Sequence, residues 1–299
     1  MLTSVPAVAP EALALEAPVG IVGLGLLGGS LARAIRRHWP GAALLAIEPR
    51  GQSRRVAVAE GIVDEIAARP SSAFAAARTV LLCVPYAMVE PVSRALVACL
   101  RPGTLVCDVV AIKAPVAAIV EQVLPRLRYV GCHPMAGGAR HGLENSRSSL
   151  FVGRPVAICT GATAAPGDVP AVSRFWRALG AHPILASPVE HDEIVARTSH
   201  LPYLLGLCLL RAAAEVPNAD RLYGQAFADA TRRAMFEPQV MAAAVAANRF
   251  VPASLRGLAD ECRRLADLIE QAPSSLLTEA ERGRSLLAEL AQALPPRAR

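Results

Sequence analysis

The stretch Val19-Gly20-Ile21-Val22-Gly23-Leu24-Gly25-Leu26-Leu27-Gly28 decides the fold. Val19–Val22 is a short apolar run of the kind that forms a buried strand, and Gly28–His38 carries apolar residues at helical spacing. Between them Gly23, Leu24, Gly25, Leu26, Leu27 and Gly28 spell G-x-G-x-x-G. In that context the first glycine permits a tight turn and the second lets the backbone approach a pyrophosphate. The third lets the helix pack closely on the strand, and the free N–H groups of the helix start face the phosphates. These six residues are the expected dinucleotide cradle. Ala43–Ile47 reads as the second strand, with Glu48 at its end, about twenty residues past the loop, where this motif places an acid. A carboxylate there accepts hydrogen bonds from the adenine-ribose hydroxyls and repels a 2′-phosphate, so NAD is expected ahead of NADP. Arg50, Arg54 and Arg55, just beyond, argue the other way, because they could receive that phosphate.

Further strands are expected at Thr79–Val84, Thr104–Val110, Arg128–Val130, Pro155–Cys159 and Pro183–Ala186, with helical stretches interleaved. Val84, closing the first of these before Pro85, joins the cofactor candidates. Strands alternating with helices imply an α/β fold of Rossmann type, a doubly wound parallel sheet. After about Ser187 the strand signals stop. His191–Glu215, Leu222–Phe236, Pro238–Asn248, Ser254–Gln271 and Thr278–Leu294 read as helices apolar around much of their circumference, which points to burial by a second subunit. The expected organisation is a loose Ala/Pro-rich tail over 1–17, a dinucleotide-binding domain over 18–187, and an all-helical substrate and dimerisation domain over 188–299.

Composition removes several classes. A net charge of +6 without a basic stripe or interleaved aromatics gives no nucleic-acid signature. The longest apolar runs, Val80–Pro85 and Leu201–Leu210, are too short to span a bilayer, and the first seventeen residues lack the pattern of a signal peptide. Seven scattered cysteines with no C-x-x-C spacing argue against a metal site or a disulfide framework. A cytoplasmic enzyme is the class expected. Lys113 is the single lysine in an arginine-rich chain, and its retention points to a need for a compact ammonium near the cofactor or the Asp108 turn.

His133 opens the run His133-Pro134-Met135-Ala136-Gly137-Gly138; Ser199-His200-Leu201-Pro202 and Asp229-Ala230-Thr231-Arg232 follow in the second half. With the glycine loop, these segments resemble the prephenate/arogenate (cyclohexadienyl) dehydrogenase family, from about Val19 to the C-terminal helices. The resemblance implies a Rossmann domain, a helical dimerisation domain, a homodimer, and oxidative decarboxylation of prephenate, a cyclohexadienyl dicarboxylate. By that resemblance His133 is the base that takes the ring-hydroxyl proton, a task suited to a side chain whose ordinary pKa lies near neutrality. Arg232 occupies the position where a guanidinium grips a substrate carboxylate through two parallel hydrogen bonds. His200 and Tyr203 fall in the segment expected on the substrate side, with His200 read as a satisfied histidine shaping the domain junction rather than a second base. No regulatory domain is expected after Arg299.

Two departures bear on the substrate. Where the family usually has D-x-x-S-x-K, this chain has Asp108-Val109-Val110-Ala111-Ile112-Lys113, so Ala111 cannot supply the serine hydroxyl expected to bond both substrate and histidine. Where the family often has S-H-L-P-H, Tyr203 stands in the last place. Prephenate is expected first. The alternatives are 4-amino-4-deoxyprephenate, which would present N–H donors at ring carbon 4 and give 4-aminophenylpyruvate, and arogenate. Hydroxy-acid and pyrroline-carboxylate reductases share the two-domain plan but not the His133 run, and a non-catalytic dinucleotide sensor is the weakest reading.

Overall fold

The structure, a computed structural model, describes residues 12–138 and 140–293. The chain divides into two compact units after Pro188.

The first unit is an eight-stranded sheet in the order β3-β2-β1-β4-β5-β6-β7-β8. Its strands are β1 (Val19–Val22), β2 (Leu44–Ile47), β3 (Glu65–Ala67), β4 (Thr79–Leu82), β5 (Leu105–Asp108), β6 (Arg128–Pro134), β7 (Pro155–Thr160) and β8 (His182–Leu185). Helices α1 (Leu26–His38), α2 (Gly51–Ala59), α3 (Tyr86–Leu96), α4 (Ala114–Val123) and α5 (Asp168–Ala178) supply the crossovers. Every residue of β1, β2, β4 and β5 is buried, as expected for central parallel strands covered on both faces. Helix α1 turns its apolar stripe to the sheet and ends in Arg36, Arg37 and His38, cations that suit the negative end of the helix dipole. Under the far half of the sheet, Trp176 meets Phe151 and Phe175 edge-on, with ring centroids 5.1 and 5.5 Å apart.

The unit departs from the sequence reading in several details. The sheet is not wholly parallel: β7 runs antiparallel to β6. Between them the described residues of 135–154 hold only a short 3-10 turn (Leu143–Asn145) and no crossover helix, so the chain returns alongside the strand it has just left. The short edge strand β3, exposed or half-buried throughout, had no apolar run to announce it. The loose tail expected over 1–17 is tied down where it is described: Leu15 is buried in the core, and the Thr79 hydroxyl donates to the carbonyl of Glu16 at 2.9 Å. Residues 1–11 lie outside the described residues, as does Leu294 at the end of the last expected helix.

The second unit is helical: α6 (Pro188–Val195), a π turn (Ala196–His200), α7 (Leu201–Ala214), α8 (Ala219–Leu222), α9 (Gln225–Thr231), a 3-10 turn (Arg232–Met235), α10 (Pro238–Ala247), α11 (Val251–Gln271) and α12 (Leu276–Ala293). The π turn has a cause in Pro202, which lacks an N–H and whose ring crowds the carbonyl four residues back, so the helix widens there. The single helix expected over Leu222–Phe236 is broken at Gly224, whose backbone is extended, and continues as α9 and the 3-10 turn. Among the described residues no helix is long and apolar enough to cross a membrane.

Candidate active site

The order β2-β1-β4 reverses direction at β1, and in open α/β sheets a ligand crevice lies beyond the strand ends at that point. The glycine loop leaves β1 there and Val84 follows β4. Gly23 takes a backbone φ of +91°, and a Cβ on it would stand 2.7 Å from the Cys83 carbonyl oxygen and 3.3 Å from the Val84 side chain. A Cβ on Gly28 would overlap the Gly23 carbonyl oxygen. At Gly25 a Cβ would meet nothing within 4 Å, so the backbone faces open space at the position where the motif brings a pyrophosphate close. The loop therefore fits a dinucleotide on its own geometry.

Glu48 follows β2 and is only 1% exposed. Its carboxylate accepts the Leu24 N–H at 2.8 Å, which fixes it to the glycine loop, and the Arg50 N–H and Nε–H at 2.9 and 2.8 Å. Burial alone would raise its pKa, but these bonds and the Arg50 charge outweigh it and hold the carboxyl below its ordinary value. Arg54 donates to the carbonyls of Glu48 and Pro49 at 2.8 and 2.7 Å, and lines an open hollow of about 460 Å³ with Gly51, Arg55, Val58, Ala59 and Ile66.

His133 lies in β6, half-buried, opposite Ala157 of β7. Ala111, also half-buried, lies in the turn after β5, the neighbouring strand. From β1 to β6 there are three strand spacings, about 14 Å. The glycine loop, Glu48, Val84, Ala111 and His133 thus share one edge of one sheet. The segment after His133 is also tied to the loop's helix. Arg33 Nε donates to the Ser146 hydroxyl at 2.8 Å, the Arg147 N–H donates to the Ser30 hydroxyl at 3.0 Å, and a Cβ on Gly29 would overlap Leu143. The small pair Gly29-Ser30 after the motif was the sequence signal for this docking.

Of the two places expected for Lys113, the cofactor and the Asp108 turn, the structure has the turn. It is 0% exposed, its ammonium paired with the Asp108 carboxylate and donating to the Cys132 carbonyl at 2.7 Å, so it offers no surface to a bound molecule. In the helical unit, Arg232 is exposed at the start of the 3-10 turn, and Arg233 beside it is half-buried. His200 and Tyr203, expected on the substrate side, are buried to 1% and 7% exposure. His200 Nδ1 lies 3.3 Å from Asn248 Nδ2, which also donates to the Asp192 carbonyl at 2.8 Å. Burial lowers the His200 pKa, and neighbouring His191 adds to this while Asp192 opposes it. Histidine 200 is thus part of the helical unit's interior. Among the described residues no group of three or more His, Cys, Asp or Glu could hold a metal ion.

A glycine cradle at a sheet's switch point, an acid after the second strand and a histidine farther along the same edge define a nicotinamide-dinucleotide dehydrogenase. Residues 31–185 match the family described as "Prephenate dehydrogenase, nucleotide-binding domain", and residues 187–281 match "Prephenate dehydrogenase, dimerization domain". The chain belongs to the prephenate dehydrogenase family, and it is an oxidoreductase. It is 28% identical over 231 residues to a cyclohexadienyl dehydrogenase of Zymomonas mobilis, covering 74% of this chain and 78% of that one. It is 27% identical over 266 residues to a 4-amino-4-deoxyprephenate dehydrogenase of Streptomyces pristinaespiralis, covering 85% and 84%. The crystal structure of prephenate dehydrogenase from A. aeolicus in complex with hydroxyphenyl propionate and NAD+ superposes with a TM-score of 0.84 at 25% identity, over 91% of this chain and 97% of that one.

Proposed function

We propose that the chain catalyses the NAD-dependent oxidative decarboxylation of prephenate to 4-hydroxyphenylpyruvate. The observation that carries this reading is the half-buried His133 on the same sheet edge as the glycine cradle. A bound nicotinamide dinucleotide supplies the hydride acceptor. His133 takes the proton of the hydroxyl at ring carbon 4 as hydride leaves that carbon. The bond from ring carbon 1 to its carboxylate then breaks, its electron pair completes the aromatic ring, carbon dioxide departs, and the phenolate oxygen regains the proton held by His133. Arg232 holds a substrate carboxylate. Homodimerisation through the helical unit is part of the proposal, supported by the exposed Leu277, Leu286, Leu287 and Leu290 of α12.

NAD is the proposed cofactor, with one refinement. The Glu48 carboxylate is already occupied by Arg50, so ribose hydroxyls reach it by displacing that guanidinium. Arg50→Ala is expected to tighten NAD and weaken NADP, each about tenfold, the worth of one charge-assisted hydrogen bond of about 1.5 kcal/mol. Dissociation constants for both dinucleotides check this, and an unchanged ratio would count against the role given to Arg50.

A second reading has a specific observation behind it. Ala111 brings no hydroxyl to the turn beside the His133 strand, and the Streptomyces pristinaespiralis relative that spans most of the chain is named for the 4-amino analogue. Such a substrate carries N–H donors at ring carbon 4 and has less use for the serine. The two readings separate on kcat/KM for purified prephenate, arogenate and 4-amino-4-deoxyprephenate. Prephenate is expected to be fastest; faster turnover of the amine would replace the first reading with the second.

A further inference from the structure

Lys113, conspicuous in the sequence as the single lysine, sits fully enclosed behind the strand that carries His133. Strand β5 pairs with β6 at Leu105–Arg128, Val106–Tyr129 and Cys107–Val130, and then turns away after Asp108, while β6 runs on to Pro134. Beyond Val130 the strand is therefore paired through β7. In an antiparallel ladder alternate residues direct their N–H and C=O at the partner. The Met135 N–H donates to the Pro155 carbonyl at 2.8 Å, so 131, 133 and 135 face β7, and the Cys132 carbonyl faces the side that β5 has left.

There Lys113 Nζ donates to it at 2.7 Å. That carbonyl belongs to the peptide unit holding the backbone nitrogen of His133. The same ammonium pairs with Asp108, whose carboxylate also accepts the Val110 N–H at 2.7 Å and the Tyr129 hydroxyl at 2.6 Å. The network fastens the end of β5 to the end of β6. Gly131 leaves room for it: a Cβ there would stand 3.0 Å from the Tyr129 hydroxyl and 3.2 Å from the Lys113 stem.

We propose that Lys113 is a positioning residue for the reaction: its ammonium stands in for the strand partner missing at Cys132 and fixes the peptide from which the His133 side chain springs. This rests on the reading of His133 as the base. A lysine is required because a compact point charge fits between a carboxylate and a carbonyl, where a planar guanidinium does not.

The test uses the full chain with NAD and whichever of prephenate or its 4-amino analogue turns over faster. Lys113→Arg and Lys113→Met are expected to lose about 100-fold in kcat, the cost of misplacing a reacting group by about an ångström, with the NAD Kd unchanged. Lys113→Met also strands a buried carboxylate and lowers Tm. Asp108→Asn added to it removes that charge while keeping an acceptor for the Val110 N–H and giving the Tyr129 hydroxyl a donor. The double variant is expected to regain Tm without regaining kcat. Recovery of kcat together with Tm would reduce Lys113 to a structural role and overturn the proposal. A weakened NAD Kd with kcat intact would overturn it too, returning Lys113 to the cofactor. His133→Asn, run alongside, separates the failures: if it keeps its turnover the base reading falls, whereas if it is inactive and the double variant is fully active only the tether falls.

Discussion

His133→Asn is expected to lower kcat about 10³-fold, within the range contributed by a positioned general base. Asparagine keeps hydrogen-bonding capacity and approximate size but cannot take up a proton near neutral pH. The backbone pairing of His133 with Ala157 does not depend on the side chain, so the sheet and the glycine loop should survive the change. The variant should therefore bind NAD with wild-type affinity, as read by calorimetry, while initial rates of nicotinamide reduction collapse. The pH profile adds a second readout. Loss of kcat/KM towards low pH, where a general base is protonated, should be present in the wild type and missing from the residual activity of the variant. Near-normal turnover in His133→Asn would remove the proposed mechanism.

Gly28→Ala is expected to be the most damaging change to cofactor binding. The added Cβ overlaps the Gly23 carbonyl oxygen and lies 2.9 Å from the Cys83 Cβ, so the turn must open or α1 must lift from the sheet. Overpacking of this kind costs about 1–3 kcal/mol of stability, and the displaced loop should lose at least about 100-fold in NAD affinity. Gly25→Ala provides the contrast. Its Cβ enters open space, so the apo protein should melt at the wild-type temperature while the methyl obstructs the dinucleotide. Thermal melts with and without NAD read both effects. A wild-type NAD shift in Gly25→Ala would mean that the dinucleotide does not approach the backbone there.

Much of this was legible in the chain because the relevant signals are local. The glycine loop, Glu48 and the apolar strands are decided by residues close in sequence, and β1, β2, β4 and β5 lie where their patterns put them. Strand direction is not local. Pro155–Thr160 looks the same whether it runs with or against β6, and only the lack of a crossover helix before it settles the matter. Side-chain partners are less local still. Arg50 was legible as a cation near the ribose position, but not that its guanidinium would bond to the Glu48 carboxylate. Lys113 stood out by its rarity and was placed near the cofactor or the Asp108 turn, yet its partner Cys132, nineteen residues away on another strand, carried no signal. His200 was read as a satisfied histidine, whereas Asn248, which lies 3.3 Å from its ring, carried no signal at all. In each case the residue type was visible and the three-dimensional neighbour was not.

The most direct test of the account is a stoichiometric assay of the wild-type chain with NAD and prephenate, following nicotinamide reduction, carbon dioxide and 4-hydroxyphenylpyruvate together. The account predicts the three in equal amounts, from a reaction that His133→Asn slows about 10³-fold. Nicotinamide reduction without carbon dioxide, or no reduction with prephenate at any pH at which the protein is folded, would contradict it.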